Sequence, residues 1–237
     1  MDAVTDKSYL IQNDIVEDLI DLGFCQANKP SLAPAIESTR PVQYEPGDTL
    51  YHEKSHVEFI HIIRDGRVKM LNYLENGRSR IVRLHNRGSI IGLNGMVDEP
   101  YTHTAIAIDD VNVYQVPIHL IKSIKDNDPE SYCVLLEYWH EYLSMADTWI
   151  TEFSTGAIRG RVARLILFLI ENDNDTGPKD VTLLTVEEMA DILGVTPESV
   201  SRVMAEFKRK KVLCHIDDDA PDLFRCDTAI ISREAGH

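Results

Sequence analysis

The four cysteines, at positions 25, 133, 214 and 226, form no CxxC pair and no compact metal spacing, so the chain has no cysteine-built metal site of a familiar kind. No stretch approaches the roughly 20 apolar residues that a membrane-spanning helix needs. The acidic, polar N-terminus has no signal-peptide core, so the expected compartment is the cytoplasm, without membrane contact. No nucleophile–base pair and no phosphate loop of catalytic type appears, and the chain is not expected to be an enzyme. Basic side chains are also scarce, 24 against 39 acidic ones, for a net charge of −15.

That deficit argues against nucleic acid only if the cations are evenly spread, and they are not. Between Gly156 and Leu213 the two signs nearly cancel, with cations bunched at Arg159, Arg161, Arg164 and over Lys208-Arg209-Lys210-Lys211. The acidic excess lies in the N-terminal half and in Asp217-Asp218-Asp219. With 237 residues and 43% hydrophobic side chains, the chain can build two modest domains.

The segment from Thr185 to Val212 reads as a helix-turn-helix. Thr185 and Glu188 form a capping-box pattern, Ala190 is small where a second helix must approach, and Gly194 falls where a tight turn needs a positive φ. A helix restarts with Thr196 as N-cap and Pro197 at its first position. Val200, Val203, Met204 and Phe207 recur at helical spacing as a buried face. Glu198, Ser201, Arg202, Ala205 and Arg209 then face outward. Arginine can pair with guanine, glutamate accepts from cytosine and serine is versatile, which makes Glu198, Ser201 and Arg202 candidate base readers. Thr196, Lys208, Arg209, Lys210 and Lys211 suit phosphates. Double-stranded DNA is the expected partner. The arginines at 159, 161 and 164, on an amphipathic helix ending in the polar loop 172–178, either touch phosphate or are only solvated.

The run Val195-Thr196-Pro197-Glu198-Ser199-Val200-Ser201-Arg202 resembles the recognition helix of CRP/FNR-type transcription regulators, in the FNR-like form with Glu followed by Ser-Arg. That resemblance implies an inverted repeat of TTGAT-like half-sites and RNA polymerase as a further partner. The FNR-type iron–sulfur cluster needs several clustered N-terminal cysteines, and Cys25 alone argues against one.

From Val42 to about Pro117, short runs alternate with turn residues, for example Phe59–Ile63 before Asp65-Gly66, as in an antiparallel sandwich or roll. This half resembles the family's cyclic-nucleotide-binding β-roll in Pro46-Gly47-Asp48, Gly66 and Gly88-Ser89-Ile90-Ile91-Gly92. Leu93 takes the place of the ribose-holding Glu, and His103-Thr104 that of the phosphate-holding Arg-Ser pair. A neutral imidazole cannot replace a bidentate guanidinium, which argues against cAMP. Three readings stay open: a small organic effector, as in the family's halorespiration regulators; haem, with ligands among His52, His56, His61, His85, His103, His119 and His140; or an empty roll. The expected effector pocket is Leu93, Asn94, His103 and Thr104 with Tyr132, Leu136 and Trp139 of the next helix. A rival class is a cupin-like metal enzyme using His52, Glu53, His56 and His61.

Between Pro129 and Thr155, Tyr132, Leu135, Trp139, Tyr142, Ala146, Trp149 and Phe153 repeat at 3-4 spacing, the signature of a coiled-coil seam. The expected seam of a parallel homodimer is therefore Leu135, Trp139, Tyr142, Ala146, Trp149 and Phe153. Leu136, Leu143 and Ile150 form a second stripe expected to pack on the protomer's own roll. Val212–Asp217 and Asp222–Asp227 pair as a wing that would set Cys214 opposite Cys226, either a redox switch or two free thiols. The expected fold is α+β: a helical lead (1–36, with a helix from Asp14 to Leu22), a double-stranded β-roll sensor (37–125), a dimerisation helix (126–155) and a winged helix-turn-helix (156–237).

Overall fold

The computed structural model describes residues 17–19, 33–172 and 179–236. Residues 17–19 are helical; the rest of the lead helix and nearly all of the 172–178 loop lie outside the described residues. Two compact units form, one of residues 1–72 and 84–143 and one of residues 73–83 and 144–237.

A short helix α1 (Ala33–Glu37) precedes eight strands: β1 (Arg40–Tyr44), β2 (Thr49–Tyr51), β3 (Phe59–Asp65), β4 (Val68–Tyr73), β5 (Ser79–His85), β6 (Ile90–Ile91), β7 (Thr104–Ala107) and β8 (Val111–Pro117). They form two four-stranded sheets, ordered β1-β8-β3-β6 and β2-β7-β4-β5. Late strands are threaded between early ones, β8 between β1 and β3 and β7 between β2 and β4, which is the roll expected from the sequence. β3 is buried on both faces from Ile60 to Ile63, so apolar residues stand on both sides of the buried His61 rather than alternating with exposed polar ones. Gly66 makes the β3–β4 turn at φ +83°, and a Cβ there would sit 2.3 Å from the Asp110 carbonyl oxygen, so only glycine fits. A 3-10 turn over Leu93–Val97 follows β6.

Helix α2 (Ile118–Asn127) leads into α3 (Pro129–Ser154), whose 26 residues begin in the first unit and end in the second. At 1.5 Å per residue α3 is about 39 Å long. Ser131 N–H and Oγ–H both donate to the Asp128 carboxylate at its start. The second unit continues with α4 (Ile158–Asn172), β9 (Asp180–Thr182), α5 (Val186–Leu193), α6 (Pro197–Arg209), β10 (Leu213–Asp217), β11 (Ala220–Cys226) and α7 (Thr228–Ala235). Val162, Ala163, Leu165, Ile166 and Leu169 of α4 form its apolar centre, against which α5, α6 and α7 pack. A three-stranded sheet, ordered β10-β11-β9, completes the winged helix-turn-helix.

Candidate nucleic-acid interface and sensor

The two helices of the motif are set by their caps. Glu188 N–H donates to Thr185 Oγ1 at 3.2 Å and Thr185 N–H donates to the Glu188 carboxylate at 3.0 Å, which fixes the start of α5. Gly194 ends α5 in the left-handed region at φ +62°, and Thr196 turns the chain back into α6. The Thr196 hydroxyl lies 3.2 Å from Ser199 Oγ rather than capping a backbone N–H. Val200, Met204 and Phe207 are buried, whereas Glu198, Ser201, Arg202 and Ala205 are exposed. The outward face is therefore a donor–acceptor set on a rigid helix. Its own backbone N–H, and then the Thr196 hydroxyl, hold the Glu198 carboxyl below the usual range, so it is an ionised acceptor near neutrality.

The arginines of α4 do neither of the two things expected of them; they bind the protein itself. Arg161 donates to the carbonyls of Phe153 and Leu193. Arg164 donates to the carbonyls of Glu152, Thr155 and Ala235 and pairs with the Glu152 carboxylate at 3.1 Å. Arg159 is held by Glu234 and Glu206. The chain supplies several carbonyl and carboxylate acceptors within reach of these guanidiniums, and a chelated guanidinium is not available to a phosphate. Two lysines of the basic run are also engaged: Lys208 Nζ lies 4.5 Å above the Phe224 ring, and Lys210 Nζ is 2.9 Å from Glu206.

Cys214 does not face Cys226. Leu213 pairs with Cys226 and Cys214 with Arg225, the register that 212–217 aligned end to end with 222–227 gives. A one-residue slip turns side chains to opposite faces, so Cys214 is exposed while Cys226 is buried. Burial pushes the Cys226 thiol up to about 12, far from a reactive thiolate. Of the two expected outcomes, a redox switch or two free thiols, the hairpin has the second.

In the β-roll half, Leu93 and Thr104 are buried and the Thr104 hydroxyl already accepts from Glu53 N–H at 3.1 Å. His103 Nδ1 lies 2.9 Å from the Thr102 hydroxyl, and Asn94, Tyr132 and Trp139 are half-buried. Leu136 is 43% exposed. His61 and His85 are buried, whereas His52, His56, His119 and His140 are exposed. Burial lowers the His61 pKa to about 4; its Nε2 faces the Gln115 amide at 3.2 Å, and its Nδ1 has no partner among the described residues. Beside it Tyr51 stacks on Tyr101, with centroids 3.6 Å apart. The cupin-like ligand set fails because His61 points into the core while His52 and His56 face outward, and no group of three His, Cys, Asp or Glu among the described residues can hold a metal ion. An open groove of about 750 Å³, lined by Glu37, Arg40, His56, Glu58, Phe59 and His119 among others, contains none of the expected pocket residues.

The stripe of α3 expected as the seam is the more buried of the two within the protomer, and the stripe expected to pack on the roll is exposed. Leu135, Trp149 and Phe153 are buried within the protomer, at 2%, 6% and 1% exposure, and so cannot form an intersubunit seam. Trp149, Phe153 and Phe168 make an edge-to-face cluster with centroids 4.9 to 5.8 Å apart. Tyr142 places its hydroxyl on β6, accepting from Ile90 N–H at 2.8 Å and donating to Ile90 C=O. Trp139 and Ala146 are half-buried. Leu136, Leu143 and Ile150, seven residues apart, are 43%, 62% and 62% exposed.

Comparison with known proteins matches residues 41–128 to the cyclic nucleotide-binding domain and residues 160–218 to the Crp-like helix-turn-helix domain. The transcriptional regulatory protein btr of Bordetella pertussis is 26% identical over 179 residues, 73% of this chain and 72% of that one. The CRP-like cAMP-activated global transcriptional regulator of Mycobacterium tuberculosis is 26% identical over 199 residues, 82% of this chain and 89% of that one. Among solved structures, FixK2 of Bradyrhizobium japonicum shares the fold with a TM-score of 0.74 at 19% identity, over 82% of this chain and 96% of that one. A CRP-family transcriptional regulator of Thermus thermophilus does so with a TM-score of 0.70 at 22% identity, over 83% and 97%.

Proposed function

Because this chain belongs to the CRP/FNR family of transcription regulators, we propose that it acts as a homodimer reading an inverted repeat of TTGAT-like half-sites under the control of an effector sensed by its β-roll. The observation that carries the reading is the outward face of α6, where Glu198, Ser201 and Arg202 stand exposed over a buried Val200, Met204 and Phe207. Arg209 and Lys211, with Thr196 at the helix start, hold phosphates; Lys208 and Lys210 contribute less because each already has a partner.

The dimer seam is the aliphatic stripe Leu136, Leu143 and Ile150. Three large apolar side chains at heptad spacing on one exposed face suit a second copy of α3, and a dimer carries two readers to major grooves about 34 Å apart. The effector is something other than a cyclic nucleotide: Leu93 offers no ribose acceptor, and Thr104 has its hydroxyl engaged. Its signal enters α3 through Tyr142, whose hydroxyl holds both polar groups of Ile90, two residues before Gly92. A coupling of about 1–3 kcal/mol between effector and DNA sites is typical for such regulators. Mass spectrometry and an absorbance spectrum of freshly purified protein identify a small or coloured effector directly.

Arg202→Ala tests the reading. Anisotropy titrations over duplexes substituted at each base should show a loss of about 1–3 kcal/mol, with discrimination relaxed at one base position. A uniform loss across all sequences makes Arg202 a phosphate contact instead, and a wild-type protein that ignores every duplex ends the proposal.

A further inference from the structure

The recognition helix α6 is held from behind by the Arg159 guanidinium. Arg159, on the first turn of α4, donates from Nε and Nη2 to the two carboxylate oxygens of Glu234 in α7, the latter bond being 2.7 Å. Its Nη1 lies 2.5 Å from Glu206 Oε2 in α6, and its central carbon is 4.9 Å from the centroid of the buried Phe207 ring. The other Glu206 oxygen takes Lys210 Nζ. Glu206 stands one turn after Arg202, on the flank between the buried face and the reading face. A guanidinium has its N–H bonds fixed in one plane, so the fork to Glu234 decides where Nη1 points, and rotation of α6 about its axis carries Glu206 away from it.

The far anchor is itself fixed. The Asp227 side chain caps α7 by accepting from Ile230 N–H at 3.1 Å, Ile231 and Ala235 are buried, and Arg164 Nη1 donates to Ala235 C=O at 3.0 Å. We propose that Arg159 is the positioning residue of the recognition helix, tying its flank to the C-terminal helix so that the base-reading face keeps one rotation. This rests on the DNA-reading role argued above. A lysine would keep the charge and lose the fork, and a glutamine at 234 would keep the shape and lose the ion pair.

The full-length protein is first used to select its preferred duplex from a random pool. Affinities for the selected and a scrambled duplex are then measured for wild type, Arg159→Lys, Glu234→Gln and, as a control, Asp180→Asn. The control breaks another forked pair of the same unit, in which Arg225 of β11 binds Asp180 of β9 at 2.8 and 2.9 Å. The ratio of the two affinities should fall about tenfold in Arg159→Lys and Glu234→Gln, the size of one misread base pair. Binding to the scrambled duplex, which depends on phosphates, should stay within about twofold. Asp180→Asn should keep the wild-type ratio. An unchanged ratio in the two test variants overturns the proposal, as does an equal fall in Asp180→Asn; if Arg159→Lys does not fold, Glu234→Gln decides alone. A wild-type protein that selects no duplex overturns the DNA-reading role itself, and that outcome is distinct from the others.

Discussion

A side chain proposed to read a base has to be in the right charge state when DNA arrives, and one buried in the β-roll core is favoured when neutral. Glu198 meets the first condition, since its own backbone N–H and the Thr196 hydroxyl favour the carboxylate. His61 meets the second, with a pKa near 4 in the folded protein because burial penalises the imidazolium. The unfolded chain takes up that proton near pH 6.5, so it binds more protons than the native state between the two values, and stability falls as pH drops through that window. From pH 7 to pH 5 the loss amounts to about 2 kcal/mol. Urea midpoints at the two pH values should show it in the wild type, and His61→Gln should remove most of the difference; an equal slope in the variant would assign it to other groups. The outward set on α6 was legible in the sequence because helical spacing alone separates Val200, Met204 and Phe207 from Glu198, Ser201 and Arg202. The fates of Arg159, Arg161 and Arg164 were not, because an arginine's acceptors are backbone carbonyls and distant carboxylates that only the fold brings near.

At the scale of elements, a heptad count cannot decide which of two neighbouring stripes faces a partner. The stripe through Leu135, Tyr142 and Trp149 and the stripe through Leu136, Leu143 and Ile150 have the same repeat. What separates them is chemistry: Tyr142 needs hydrogen-bond partners, and Trp149 and Phe153 need edge-to-face neighbours, all of which the protomer supplies. The aliphatic stripe makes no such demands and is left outside. Leu143→Glu should therefore sediment as a monomer with its melting curve otherwise intact. Trp149→Ala should lose about 3–5 kcal/mol of stability through the cavity it leaves. If Leu143→Glu stays dimeric, the seam is elsewhere. The C-terminal helix α7 was missed from the sequence although it carries a start signal in Asp227, a buried pair spaced four apart in Ile231 and Ala235, and a terminal Gly236 in the left-handed region. The wing was legible as a hairpin, and its expected strands, aligned end to end, already set Cys214 opposite Arg225; the facing pair of cysteines was one residue out of register.

For the whole molecule the question is how a chain of net charge −15 attracts a polyanion. The cations near the reading helix outnumber those that can act, since Arg159, Arg161 and Arg164 are chelated internally, Lys208 lies over Phe224 and Lys210 is bound to Glu206. Arg209 and Lys211, the proposed phosphate contacts, are exposed and have no ion pair among the described residues, and Arg202, equally exposed, is kept for a base. Each phosphate neutralised releases counterions and steepens the salt dependence by about 0.9. In the proposed dimer, two such cations in each subunit give a slope of log affinity against log salt of about −4. Counting every cation of the two clusters would make it far steeper. Arg209→Gln should flatten the slope by about 2, because the dimer loses two contacts. Arg161→Gln should leave the slope unchanged and lower the melting temperature, since its bonds go to the Phe153 and Leu193 carbonyls. A slope that flattens equally in both variants would mean that Arg161 leaves its carbonyls for a phosphate on binding, and that the second unit rearranges when it meets DNA.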